Sequence, residues 1–173
     1  MAADVEDLRI GKGIVSFQPG STGDFIDLGF VSQFSYTPNI ERTPYFSARE
    51  GIRKKVAEFI TEVGATINLT IDSINGFNLS LFALGEATPS GSDITISGLS
   101  STDKSGTIRI VGTNDQGRLV DFEAAVQLVP SGEYEFITQE DDINSIEVEG
   151  EVLEGVSGGF GTWTIRPQDG ATA

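Results

Sequence analysis

Apolar and polar residues alternate with a period of two along much of this chain, the spacing that sends successive side chains to opposite faces of a β-strand. In Ala65-Thr66-Ile67-Asn68-Leu69-Thr70-Ile71-Asp72, the residues Ile67, Leu69 and Ile71 point one way, and Thr66, Asn68 and Thr70 the other. Between 119 and 129, Val120, Phe122, Ala124, Val126 and Leu128 share a face opposite Asp121, Glu123, Ala125 and Gln127. Ile108 and Ile110 repeat the pattern in 107–112. Strands with one apolar face favour antiparallel sheet. Further strands are expected over 13–18, 24–37, 55–63, 92–98, 133–139, 145–153 and 159–166. Asn114-Asp115-Gln116-Gly117 is expected to close a hairpin between 107–113 and 118–129, and Pro130-Ser131-Gly132 to begin another turn.

One stretch has a different period. Phe77, Leu81 and Leu84 recur at i, i+4 and i+7, and Leu79 and Phe82 widen the stripe. Asn75 is a natural N-cap and Gly85 a natural stop, which predicts a helix at about 76–84. A helix that short needs a sheet to pack on. Residues 40–58 read as a long inter-strand loop, 97–106 as a shorter loop, and 1–8 and 168–173 as frayed ends. The fold class that follows is mainly β: an antiparallel β-sandwich or barrel-like domain with one short flanking helix.

Composition narrows the function. A length of 173 residues fits a single domain over 1–173, and 38% hydrophobic residues can fill its core. Twenty-one glycines suit many turns and bulges. Cysteine is absent, which removes disulfides, thiol nucleophiles and thiolate metal sites. Histidine is also absent, and with it the commonest general base near neutral pH and the commonest transition-metal ligand. A Ser-His-Asp or Cys-His arrangement is therefore impossible within this chain. The start is polar, without a signal-peptide apolar run, and no stretch approaches the roughly 20 apolar residues of a membrane helix. Synthesis and folding in a cytoplasm are expected.

Charge adds the strongest hint. There are 26 acids against 11 bases, a net charge of −15, and this balance opposes spontaneous binding to polyanions. Yet Arg42, Arg49, Arg53, Lys54 and Lys55, five of the eleven bases, fall in one segment. That segment also carries Tyr45, Phe46, Ile52 and Phe59. Arginine beside aromatic residues is the usual make-up of interface anchors. The segment reads as a solvated loop, as an arm that docks on another subunit or, against the net charge, as a nucleic-acid contact. The opposite charge lies in Ser145-Ile146-Glu147-Val148-Glu149-Gly150-Glu151-Val152, where Glu147, Glu149 and Glu151 share a strand face. Paired carboxylates hydrolyse glycosides when one sits in an apolar pocket. Three in a row on one face instead suit water, because burying unpaired charge costs several kcal/mol.

Other motifs are weaker. Gln139-Glu140-Asp141-Asp142-Ile143-Asn144 lacks the spacing and central glycine of a calcium loop. Gly158-Gly159-Phe160-Gly161 lacks the Gly-Lys-Ser/Thr of a phosphate loop and reads as a bulged or closely approached strand. Trp163 is expected to fill the core. No cofactor or metal site is expected.

Several segments occur in an order that resembles one family. They are Gly11-Lys12-Gly13-Ile14-Val15-Ser16-Phe17, then Asp27-Leu28-Gly29, then Phe34-Ser35-Tyr36-Thr37-Pro38. After them come Phe46-Ser47-Ala48-Arg49-Glu50-Gly51, the strand 65–72, and the helix with Asn78-Leu79-Ser80-Leu81 and Gly85. Over residues 10–85 the chain resembles the major tail tube proteins of long-tailed bacteriophages. It departs at Lys54-Lys55-Val56, where a more acidic continuation is the family pattern. The resemblance implies a virion protein with no catalytic activity, assembled in the host cytoplasm into rings of six that stack into a tail tube. It implies that double-stranded DNA passes through the tube without specific binding, and that the long loop 40–58 reaches a neighbouring copy. Other implied partners are the tape measure, tail terminator and distal tail or baseplate proteins, with no membrane insertion of its own. Glu147, Glu149 and Glu151 are then candidates for the lumen wall.

Two readings from other classes stand beside this one. The first is a non-catalytic β-sandwich binding module, such as a capsid decoration or carbohydrate-binding protein, which needs an exposed aromatic platform. The second is an enzyme such as a glycosidase using carboxylates, which the missing histidine disfavours.

Overall fold

The computed structural model describes residues 11–48, 51–113, 117–137, 144–155 and 158–167. The strands are β1 (Gly13–Pro19), β2 (Ile26–Asp27), β3 (Val31–Ser47), β4 (Lys54–Ile71), β5 (Glu86–Ser90), β6 (Asp93–Ser97), β7 (Lys104–Gly112), β8 (Leu119–Pro130), β9 (Ile146–Val152) and β10 (Thr162–Arg166). The single helix described, α1, spans Gly76–Phe82. The main sheet is antiparallel throughout and runs β2-β1-β7-β8-β9-β4-β3. It bends around its core without closing. β5 and β6 form a separate hairpin.

The alternation seen in the sequence is what builds this sheet. β9 is buried at every second residue from Ile146 to Val152, with the glutamates exposed between. Phe17, Ile67, Leu69, Ile108, Val126, Leu128 and Val148 meet inside, all at most 2% exposed. Each such side chain contributes about 1.5–3 kcal/mol relative to leaving it in water. Phe34, Tyr36, Phe77 and Phe82 pack around them.

The helix forms where the 3.6-residue stripe and its cap predicted it. Asn75 accepts a hydrogen bond from the Asn78 N–H at 2.8 Å. The helix ends two residues before the expected position: Leu84 takes a left-handed φ of 49°, and the Gly85 N–H donates to the Ser80 carbonyl. Leu81 and Leu84 are buried. Asn78 is fully buried and donates from Nδ2 to the carbonyls of Leu28 (2.9 Å) and Ser73 (2.7 Å), which pins the helix to the sheet.

Several expected boundaries differ. The span 24–37 is not one strand. It breaks at Leu28–Phe30, where Gly29 has a φ of 75°, its N–H bonds to Asp27 Oδ1, and a Cβ would strike Ser73 Oγ. Only Ile26–Asp27 precedes the break, and β3 follows it. Residues 55–63 and 66–71 belong to the single strand β4, which passes straight through Gly64. Residues 133–137 form no strand; Tyr134 instead packs on Phe82 at 6.2 Å, and 138–139 lie outside the described residues. The 97–106 loop is shorter than expected because β7 starts at Lys104.

The largest correction concerns 40–58. It is not a long loop. β3 and β4 pair continuously from Val31↔Ile71 to Ser47↔Lys54, so only 48–53 joins them. Pro44 is accommodated within a two-stranded ribbon whose register is irregular at Glu41/Arg42 and Tyr45/Phe46.

Candidate assembly interface

β9 covers β4 only from Ala65 to Ile71. Beyond Ala65 the hairpin continues as a two-stranded ribbon, 38–47 against 54–64, with no third strand among the described residues. An isolated two-stranded ribbon is marginal in water at best. This one is also apolar on both faces. Ile40, Tyr45, Phe46, Ile52, Val56, Phe59, Ile60 and Val63 are all exposed large hydrophobic residues, with Val56, Phe59 and Ile60 close to 60%. The register puts Ile40, Ile60, Val63 and Phe46 on one face and Tyr45 and Phe59 on the other. Among the described residues, nothing covers either face.

Two cations of the ribbon share one carboxylate within it. Lys55 Nζ lies 2.8 Å from Glu58 Oε1, and Arg42 Nη1 lies 3.7 Å from Glu58 Oε2. The hydrogen bond and charge of Lys55, then Arg42, hold the Glu58 carboxyl below its ordinary range. The Arg53 guanidinium sits over the Phe46 ring at 4.6 Å. The basic segment is thus less a free positive arm than an apolar ribbon whose cations are partly engaged. Arg49 lies outside the described residues, as do 139–143 of the acidic stretch. Sequence reasoning found Tyr45, Phe46, Ile52 and Phe59 but not Val56, Ile60 and Val63. The available signal was apolar residues at both odd and even positions of 54–64, the mark of a strand with no water-facing side.

The second surface is the outer face of the main sheet. Thr37, Thr66, Glu151, Gln127 and Ser105 align in one row across β3, β4, β9, β8 and β7. Ser35, Asn68 and Glu149 form the next row, and Gln33, Thr70 and Glu147 the one after. The three glutamates are exposed, as expected from their alternation. These rows carry hydroxyl, amide and carboxylate groups and no base. Further along the same face Arg109 is paired with Glu123 at 2.7 Å and covers the Phe25 ring.

A third feature is an aromatic cluster at the end of β10. Trp163 lies 4.5 Å from Phe122 and 5.3 Å from Tyr36 between ring centroids. Tyr36 donates from its hydroxyl to the Phe160 carbonyl at 2.9 Å. Trp163 is nonetheless 53% exposed, not a core residue as expected, because β10 pairs on one side only. Residues 158–161 form a turn with positive φ at Gly158 and Gly161, and Gly161 fits against Phe122 where a side chain would not.

Among the described residues no three His, Cys, Asp or Glu side chains group closely enough to share a metal ion, and no helix is long and apolar enough to cross a membrane. No protein-family model matches the chain, and comparison with curated proteins finds no significant match.

Proposed function

We propose that this chain is the tube-forming subunit of a long-tailed phage tail, a building block that works by assembling with itself. The observation that carries the proposal is the ribbon 38–64, which presents eight large apolar residues to water on two faces. Monomeric proteins rarely expose contiguous apolar area on this scale, and where they do it marks an interaction surface. A projecting element that differs from the body it leaves suits head-to-tail contacts, which close into rings when the rotation allows. The polar and acidic outer face suits a bore that conducts double-stranded DNA, since like charge repels phosphate without binding it. At physiological salt that repulsion reaches about 8 Å. Glu147, Glu149 and Glu151 are the proposed lumen residues. The order of segments over 10–85 supports stacked hexameric rings, a place in the virion tail, and tape measure, terminator and distal tail proteins as further partners.

Negative-stain electron microscopy and sedimentation of the purified chain across a concentration series test this. Rings or tubes at high concentration are expected. Monomers at every concentration overturn the proposal. The half-exposed Trp163 favours a second reading, a carbohydrate-binding module, although Phe122 and Tyr36 already occupy part of that ring. Glycan binding by a stable monomer would select that reading.

A further inference from the structure

If copies of this chain assemble as proposed, one of them must offer a strand edge to the next. β3 ends the main sheet, so its outer edge is the obvious candidate. That edge is interrupted. Pro38 and Pro44 lack an N–H, and proline sits in a strand with its nitrogen turned away from the paired neighbour. Both face β4, opposite Ala65 and Glu58, so both missing donors fall on the outer edge of β3. Outward groups recur at every second residue of an antiparallel strand. From 38 to 46 that outer edge therefore lacks two of its five donors.

The far edge of β4 is different. β9 leaves it at Ala65, and no described strand pairs with it between 54 and 64. The segment contains no proline. Its register sets Glu58 opposite Pro44, Ile60 opposite Arg42 and Val63 opposite Ile40. These are the positions whose N–H and C=O groups turn away from β3. A complementary edge exists on the same molecule. β10 pairs with β8 and with no other described strand, and no proline falls within it. Its Trp163 and Ile165 lie on one face, 53% and 62% exposed. They match the apolar row of Ile60 and Val63, and aromatic residues paired with β-branched ones across strands are favourable contacts.

We infer that a neighbouring copy adds its β10 edge to the free edge of β4 between 56 and 63, while the proline-blocked edge of β3 stays out of the contact. Main-chain hydrogen bonds supply the pairing, and the apolar rows supply register. Each copy gives one edge and receives at another, as a closed ring requires.

Two matched variants test the assignment. Ile40→Pro and Ile60→Pro each replace an exposed isoleucine on the same ribbon face, at a position whose N–H points away from its hairpin partner. Both keep the β3–β4 ladder. Both lose one apolar contact of the ribbon face and only Ile60→Pro also loses a donor on the pairing edge, so we expect Ile60→Pro to need about tenfold more protein to assemble than Ile40→Pro. Equal assembly by the two variants, or a defect confined to Ile40→Pro, overturns the inference. Hydrogen exchange on wild-type protein gives an answer independent of any variant. On assembly, amides of 56–63 and 162–166 should slow while those of 38–46 do not; protection of 38–46 instead refutes the edge. Wild-type protein that never assembles removes the tube proposal itself, whereas assembly through another edge removes only this inference.

Discussion

Asp121 accepts from Arg166 Nε and Nη2 and from the Gly112 N–H, and so ties β10 to β8 and to the end of β7. The Arg166 hydrogen bonds, against a smaller opposing effect of burial, hold its carboxyl below the ordinary aspartate range. A lowered folded-state value means that the stabilisation is fully present above about pH 3.9, the unfolded value, and disappears as pH falls through the folded one. Because Arg166 is well exposed, the contribution should be under about 1 kcal/mol. Asp121→Asn should therefore lower urea stability slightly at pH 7, and the difference from wild type should vanish in strong acid. Urea titrations at pH 7 and below pH 3 check this; a gap that persists in acid rules out the charge. Glu58 behaves differently at the same scale. It lies in the open ribbon, and its partners Lys55 and Arg42 make a local pattern of charge more than a source of stability.

Strands with one buried face were legible because burial itself enforces alternation. In β9 the Ile146/Val148/Gly150/Val152 set lies inside and the glutamates outside, as the spacing of two requires. Gly150 belongs to the inner set for a steric reason: a Cβ there would come within 2.7 Å of Leu128 and 2.9 Å of Ile67. Gly106 is tighter still, with the Phe17 ring and the Gln18 carbonyl in the space a Cβ would take. Gly106→Ala should cost about 1–3 kcal/mol by overpacking the β1–β7 contact, read as a lower urea midpoint at unchanged slope; an unchanged midpoint would show that β1 can move aside. The ribbon was illegible for the converse reason. Neither of its faces is buried by another described residue, so no alternation is imposed, and Pro38, Pro44 and Gly51 look like loop punctuation. The hairpin partner β5, Glu86–Ser90, is exposed throughout and leaves no periodic trace. Trp163 misled because a large aromatic residue on an apolar strand normally faces a core, and here the strand has a single neighbour.

For the molecule as a whole, the net charge of −15 and the apolar ribbon pull in opposite directions. Self-repulsion between acidic bodies weakens as salt screens it, while apolar contacts do not depend on charge. Assembly should therefore persist or strengthen from about 0.1 to 1 M sodium chloride, and sulfate should promote it further. Sedimentation across that series is the measurement, and dissolution at high salt would mean that ion pairs hold the copies together. The topology also sets a timetable. The ribbon folds back across a short turn, and hairpins close in about 1–10 μs. Gly13 finds Gly112 only after the long intervening stretch has been made, and β10, later in the sequence still, then completes β8. During synthesis the adhesive part is ready well before the body that must hold it in register, so crowded polysomes would favour tangled fibres, and slow translation or a chaperone that shields 38–64 would favour ordered growth.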